Sequence, residues 1–185
     1  MGRSRSFIGD AFLVNRPAEA ADRAVPGHWE GDLIIGSGGK SALITLVERT
    51  SRYVMVRRLA DNHTSRSCTD ALVEMIGQLP EDIRKTLTWD RGVEMALHAE
   101  FTVATGCQVF FCDPHAPWQR GSNENINRSI REYFPKGTDF SVVTDREIRD
   151  MEYELNTRAR MVLDGYTPVE VLTRMLGDEG GALTT

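Results

Sequence analysis

The sequence predicts an α/β domain with a five-stranded mixed sheet, in which three antiparallel strands are followed by two parallel strands and helices flank the sheet. Three observations predict this class. Three short apolar runs follow one another through turns, two later apolar runs are each preceded by a segment of helical periodicity, and three further segments carry helix signals. With 185 residues, 41% of them hydrophobic, the chain can form one domain with a core.

The first three strands are predicted from apolar runs with short connections. The first run, Leu33 to Ile35, is bounded by glycines, and the runs Ala42–Val47 and Tyr53–Leu59 follow it closely. Connections of a few residues join antiparallel neighbours in hairpins. We therefore expect a three-stranded meander, although its sequence leaves open which face is buried.

Helical periodicity then alternates with two more strands. Apolar residues recur at helical spacing over 65–78, Thr86–Trp89 reads as strand four, Met95–Thr105 as a second helix, and Gln108–Cys112 as strand five. Helical connections of this kind join parallel strands. Strand four is thus expected to lie parallel beside strand one.

Three helices are predicted after the last strand. Ser122 and Asn123 are suitable N-caps for a helix that runs to about Phe134. Residues 144–147 form a capping box for a helix that runs to about Ala159. The last helix is expected to begin near Thr167-Pro168 and to close at Gly177.

The chain is predicted to have one core segment between two peripheral ones. Residues 1–27 read as an arm or linker, with Phe7–Val14 docking on the body, 28–176 as the core with its C-terminal helices, and 177–185 as a flexible tail. We expect no membrane association and a cytoplasmic location, because no apolar run is long enough for a membrane span and no secretory signal is visible. The three cysteines lack zinc spacing and are expected to be free buried thiols.

The charge balance bears on the kind of partner. A formal net charge of −5 counts against a general nucleic-acid binder, which usually carries a basic excess. It does not count against a catalytic core whose own acids are neutralised by metal ions.

Three acids are the candidate catalytic residues. Asp32 lies in the first strand, where a lone ionised carboxylate is costly unless a positive charge pairs with it. Asp90 follows strand four, and Glu124 opens a helix, near the positive end of its dipole. Three carboxylates held close together repel one another, and Mg²⁺ or Mn²⁺ relieves that repulsion. Two such ions, about 4 Å apart, can activate a nucleophile and stabilise a leaving oxygen in phosphodiester chemistry.

The helix that carries Glu124 has a polar stripe. Glu124, Asn127, Arg128 and Arg131 are spaced i, i+3, i+4 and i+7, and therefore lie on one face. A carboxylate beside two guanidinium groups suits metal binding next to a phosphate backbone.

The motifs around these acids resemble the three catalytic motifs of bacterial insertion-sequence transposases. These enzymes belong to the superfamily of DDE transposases and retroviral integrases, which has an RNase H-like fold. The 33 residues between Asp90 and Glu124 match the group typified by insertion sequence thirty. The similarity extends from about Arg16 to Leu172, and its segments are Gly27–Asp32, Trp89–Gly92, Asp113–Asn125, Tyr133–Asp139 and Thr167–Val171.

The resemblance implies a fold, a reaction and a set of partners. It implies that Asp32, Asp90 and Glu124 are catalytic metal ligands and that Arg131 is the basic residue one helical repeat after the glutamate. Family members cut the 3′ ends of their element and join them to target DNA by transesterification. Their partners are the terminal inverted repeats and the target DNA, and they act as multimers, so a homodimer is expected. The helix-turn-helix region that full-length members carry is not visible in this sequence.

Other residues and functions remain open at this stage. The predicted DNA contacts are Trp118, Gln119, Arg120, Asn123, Asn127, Arg128 and Arg131. Trp118 either packs against the body, which is slightly favoured, or stacks on an unpaired base. Glu30 is expected to be salt-bridged or solvated rather than catalytic. Two alternative functions are an RNase H-like nuclease without joining activity and a non-catalytic DNA-binding or assembly module.

Overall fold

A computed structural model describes residues 7–21 and 23–181 and places five strands in one sheet of order β3-β2-β1-β4-β5. The first three strands pair antiparallel, whereas β4 and β5 run parallel to β1. The predicted fold class is therefore confirmed. The strands are β1 His28–Ile35, β2 Ala42–Glu48, β3 Val54–Leu59, β4 Thr86–Trp89 and β5 Gln108–Phe111.

Five α-helices flank this sheet. Two predicted helix ends are confirmed. Thr144 and Glu147 form the reciprocal capping box, and Gly106 ends the second helix in a left-handed conformation at φ 75°. The helices are α1 Ser65–Gly77, α2 His98–Thr105, α3 Gly121–Tyr133, α4 Asp145–Thr157 and α5 Pro168–Gly181.

Other helix bounds differ from the prediction. The prediction that Ser122 and Asn123 are N-caps is wrong, because α3 already begins at Gly121 and the side chains of both residues are buried in tertiary contacts. The second helix begins at His98 rather than Met95, and α5 continues past Gly177. Residues 182–185 of the predicted tail lie outside the described residues.

Two apolar layers cover the sheet, one on each face. The layer under α1 and α2 contains Trp29 and Trp89, both fully buried, as expected for aromatic residues next to the aspartates. The layer under α3 and α4 contains Ile126, Ile130 and Leu155. Every residue of β2 is buried, so the centre of the sheet is covered on both faces.

The first described segment docks on the β5 edge of the sheet. Ile8 is buried, and Phe12 forms a parallel bridge with Phe111, whose backbone N–H donates to the carbonyl of Ala11 at 2.7 Å. The predicted docking of this segment is confirmed. The arm arginines at positions 3 and 5 lie outside the described residues.

Side chains of α4 cover the opposite edge of the sheet. Asn156 accepts from the N–H of Val54 and donates to its carbonyl, both at 2.8 Å. The Glu152 carboxylate accepts from the N–H of Val56 at 2.7 Å. These side chains occupy the hydrogen-bonding groups of β3 that would otherwise pair with another strand.

Two further expectations concern the cysteines and the membrane. Cys68, Cys107 and Cys112 are free and buried, as predicted, and burial raises the pKa of the Cys107 thiol to about 12. Within residues 7–21 and 23–181, no helix combines the length and the apolar character that crossing a bilayer requires.

Gly31 is the point where β1 passes closest to the indole of Trp89. A Cβ atom at this position would overlap two atoms of the buried ring and press on Leu46. We expect Gly31→Ala to lower the free energy of unfolding by about 1–3 kcal/mol, the usual cost of overpacking. Chemical denaturation measures this. Gly177→Ala is the matched control, since nothing lies near its added Cβ and alanine is expected to stabilise α5; equal effects would contradict this account.

Burial of Glu152 makes the stability of the β3 edge depend on pH. Burial raises the pKa of this carboxyl above its ordinary value, with the N–H of Val56 opposing the shift. The folded state therefore holds a proton that the unfolded state has released, and the free energy of unfolding falls as pH rises through that interval. We expect Glu152→Gln to flatten this decline in thermal melts from pH 4 to 8. Glu132→Gln, an exposed change, leaves the decline as it is.

Candidate active site

Strand register brings Asp32 and Asp90 together. Glu30 of β1 is the register partner of Thr88 in β4, and continuing this parallel register by two residues places Asp32 beside Asp90. Both aspartates thus lie toward the carboxyl ends of neighbouring central strands, the edge at which open α/β sheets bind ligands.

Arg120 connects the two aspartates. Its Nη1 lies 3.2 Å from Asp32 Oδ1 and its Nη2 lies 3.6 Å from Asp90 Oδ2. Nη1 also donates to the carbonyl of Gly31 at 2.9 Å, which fixes the guanidinium beside the middle of β1. The side chain of Arg120 is only 16% exposed, so the two carboxylates share a largely buried cation.

The electrostatics of this group reflect burial and mutual repulsion. Burial raises the pKa of Asp32 above its ordinary value; Arg120 opposes this rise, and the nearby charge of Asp90 adds to it. Burial disfavours the charged form of Arg120, but the two aspartates outweigh this and raise its pKa. Without a neighbouring cation, the repulsion between the two carboxylates would destabilise their ionised forms.

Further donors fix the orientation of each carboxylate. The N–H of Leu33 donates to Asp32 Oδ1, and Asn127 Nδ2 donates to Asp32 Oδ2, both at 2.9 Å. The N–H of Gly92 donates to Asp90 Oδ1 at 2.8 Å. The aspartate oxygens are thus held in defined positions before any ligand arrives.

Glu124 lines a small cavity that it shares with Asp32 and Arg120. The cavity has a volume of about 110 Å³ and is lined by Asp32, Arg120, Asn127, Pro117 and Glu124. Among the described residues no three acidic, histidine or cysteine side chains are close enough to form a ready metal site. The chemistry of Asp32, Asp90 and Glu124 nevertheless fits a divalent ion, because carboxylates are hard oxygen ligands. The two aspartates already converge on one cation, the guanidinium of Arg120.

A buried network positions α3 so that Glu124 faces this cavity. Glu30 is fully buried, accepts from Arg49 Nη1 at 3.1 Å and accepts from the backbone N–H of Asn123 at 2.9 Å. The side chain of Asn123 donates to the carbonyl of Glu30 at 3.2 Å. The first turn of α3 is thus attached to β1 two residues before Asp32, and the salt bridge expected for Glu30 is confirmed.

The predicted DNA contacts divide into two groups. The structure does not support a DNA contact by Asn123, because its side chain is fully buried. Gln119 Nε2 donates to Asp113, and Arg131 donates to backbone carbonyls at the ends of α3 and β1, so both have structural partners. Asn127 and Arg120 instead hold the aspartates.

Two of the predicted contacts lie on the surface. Trp118 is 73% exposed, so the packing role favoured from the sequence is wrong and its indole is free to stack on a base. Arg128 is exposed on α3. The bridging role of Arg120 was not predicted, and its only sequence signal is its place four residues before Glu124.

This combination of fold and site defines a class of protein. This chain has a mixed five-stranded sheet, one aspartate within a central strand, a second just after the parallel neighbouring strand, and a glutamate in the first turn of a helix packed on the sheet. That is the arrangement expected of an integrase-type core. The family model "Integrase core domain" matches residues 22–117, more than half of the chain. The chain belongs to the integrase core domain family, as its motifs predicted.

The curated relatives include transposases of insertion sequences. The chain is 47% identical over 175 residues to the transposase for IS1086 of Cupriavidus metallidurans, covering 94% of this chain and 51% of the relative. It is 49% identical over 169 residues to the transposase InsI for IS30C of Escherichia coli, covering 91% and 44%. It is 34% identical over 182 residues to the transposase for IS4351 of Bacteroides fragilis, covering 98% and 55%. The chain thus spans about half the length of these relatives.

Removing the shared guanidinium tests the charge balance of the site. We expect Arg120→Gln to lower the free energy of unfolding by about 1–2 kcal/mol in EDTA, because it leaves two partly exposed carboxylates without their cation. Urea denaturation at pH 7 measures this. Arg120→Lys restores part of the loss, whereas Arg128→Gln, on the exposed face of α3, is the neutral control. If both glutamine variants unfold alike, Arg120 does not balance the aspartates.

Proposed function

We propose that this chain is the catalytic core of a bacterial insertion-sequence transposase, a polynucleotidyl transferase that cleaves element ends and transfers them to target DNA. The convergence of Asp32 and Asp90 on one cation, with Glu124 across the cavity, carries this proposal. Its relatives are named as transposases of insertion sequences, and the integrase-core match extends over both aspartates.

Asp32, Asp90 and Glu124 are the residues that would hold Mg²⁺, with Mn²⁺ as a substitute and two ions as the expected number. Bound divalent ions supply activation of an attacking oxygen and stabilisation of the leaving oxygen at phosphorus. Asn127 and the N–H of Leu33 would keep the oxygens of Asp32 directed toward bound ions. Arg120 pairs with the same carboxylates, so its guanidinium would have to release them to the ions and would then be available for a DNA phosphate.

The proposed reaction has two phosphoryl transfers. In cleavage, water attacks a phosphodiester and the 3′ oxygen of the element leaves. In strand transfer, the 3′ hydroxyl so produced attacks a target phosphodiester, and an oxygen of the target strand leaves. No covalent bond to the protein forms in either step.

Exposed Trp118 would stack on an unpaired base near the cleaved end, and Arg128 would contact the DNA backbone. We also propose that the protein acts as a homodimer on paired ends.

The carboxylates are tested by isosteric substitution in the full-length protein. We expect Asp32→Asn, Asp90→Asn and Glu124→Gln each to reduce Mg²⁺-dependent cleavage of element-end DNA by at least about 100-fold, because each removes a charged ligand. Gel assays with labelled ends measure the loss, and circular dichroism checks the fold.

The control for this set is Glu132→Gln, an exposed acid on the same helix as Glu124. It is expected to cleave at the wild-type rate. Cleavage by one of the three variants at that rate would remove the substituted residue from the site.

A joining assay separates the proposal from its alternatives. With element-end DNA and a target plasmid, a transposase gives joined products, whereas a nuclease of the same fold gives only cleaved ends. A non-catalytic module gives neither product and binds no Mn²⁺ at millimolar concentration in calorimetry.

A further inference from the structure

A second cavity lies against the first turn of α3, apart from the carboxylates. It has a volume of about 380 Å³, and Gly121 and Ser122 form part of its wall. Three arginines from separate segments also line it: Arg23 from the arm, Arg52 from the β2–β3 turn, and Arg160 from the segment between α4 and α5. No carboxylate is among the described residues that line it, which are completed by Asn125, Ile126 and Val162.

The arginines of this basic cavity are incompletely neutralised. Burial lowers the pKa of Arg52, the neighbouring charge of Arg23 lowers it further, and Glu30 only partly opposes the shift. Burial also lowers the pKa of Arg160, with Arg158 adding to it. An anion bound between Arg23 and Arg52 would relieve the repulsion between these two guanidinium groups.

Hydrogen-bonding capacity in the cavity points the same way. Arg160 Nε is buried and has no hydrogen-bond partner among the described residues, although Nη2 donates to the carbonyl of Leu155 at 3.0 Å. Buried donors are rarely left unmade, because an unpaired one costs about 1–3 kcal/mol. Arg52 Nη1 donates to Ser122 Oγ, and the other N–H groups of this guanidinium have no hydrogen-bond partner among residues 7–21 and 23–181. Guanidinium groups of this kind bind phosphate oxygens with paired donors.

The start of α3 adds to the positive character of the cavity, because the first N–H groups of a helix and its dipole favour anions. This contribution is limited, since the N–H of Asn123 is already used by Glu30. The guanidinium groups are therefore the main donors. The first turn of α3 separates two cavities. Arg120 and Glu124 line the carboxylate cavity, whereas Gly121 and Ser122 line the basic cavity.

We propose that the basic cavity binds a phosphate group of the DNA backbone, with Arg52 and Arg160 as its principal ligands and Arg23 closing it from the arm. This inference rests on the proposed function for the identity of the ligand. Its main donors are charged guanidinium groups, and no aromatic side chain is among the described residues that line it, so the cavity is suited to phosphate rather than to a base. It would hold a strand in register on one side of α3 while the carboxylates act on the other.

The salt dependence of DNA binding tests this site without catalysis. Fluorescence anisotropy with a labelled random-sequence duplex is measured in EDTA at 50 to 200 mM salt for the wild-type protein, Arg52→Gln and Arg160→Gln. Each substitution is expected to weaken binding and to reduce the slope of log K against log salt by about one. Arg146→Gln is the matched control, because its exposed side chain pairs only with Asp150 on α4, and it should retain the wild-type slope.

Further variants keep the test independent of folding. Arg52→Lys retains the charge and is expected to restore most of the slope, which a purely structural role of Arg52 would not explain. Thermal melts identify any variant that fails to fold, and the remaining arginine variant then decides. Unchanged slopes in folded Arg52→Gln and Arg160→Gln would overturn the proposal. The proposal would also be overturned if inorganic phosphate raised the thermal stability through these arginines while the slopes of log K against log salt stayed unchanged. That result would assign the site to a free anion.

This outcome is separable from that of the proposed function. The binding assay contains no divalent ion and does not measure cleavage. Its result therefore still holds if the carboxylate variants cleave DNA as the wild-type protein does. Conversely, loss of cleavage in Asp32→Asn together with unchanged salt slopes would retain the transposase core and remove only the phosphate site.

Discussion

The geometry of this domain depends on one buried charge. Glu30 lies inside β1 with no exposed surface, and an ionised group there is tolerated only because Arg49 and the first turn of α3 satisfy its oxygens. The same contacts attach α3 to the strand that carries Asp32. Glu124 therefore shares a cavity with Asp32 because of a carboxylate that has no direct part in the proposed chemistry. A residue of this kind contributes to the site through position rather than through contact with a substrate.

Much of the fold could be predicted because its determinants are local. Apolar runs, short turns and the capping box at Thr144 define elements, and helical connections between strands imply the parallel pairing that places Asp32 beside Asp90. The roles of Arg120, Asn123 and Trp118 could not be predicted, because they depend on how a loop and a helix start meet the sheet. Asparagine is a residue type that is suited both to helix capping and to DNA contacts, but the buried side chain of Asn123 instead donates hydrogen bonds to Glu30 and Thr45.

The acidic net charge is compatible with the proposed nucleic-acid substrate because of how the charges are distributed. Several acids are taken up in internal pairs such as Glu30 with Arg49, whereas the start of α3 has arginines on both sides: Arg120 at the carboxylates, and Arg52 and Arg160 at the basic cavity. Local potential rather than total charge decides where a polyanion approaches. Composition alone therefore argues against the partner that we propose, whereas the motifs favour it.

Both borders of the sheet are occupied by the chain itself. Asn156 and Glu152 bind the backbone of β3 on one side, and the segment around Phe12 pairs with β5 on the other. Within the described residues, the chain itself thus covers the sheet edges at Val54, Val56 and Phe111, which hinders edge-to-edge pairing of two copies at these positions. An assembly on paired DNA ends that avoids these positions would be built from side-chain surfaces or from the nucleic acid that bridges the subunits, without extending the sheet from one copy to the next.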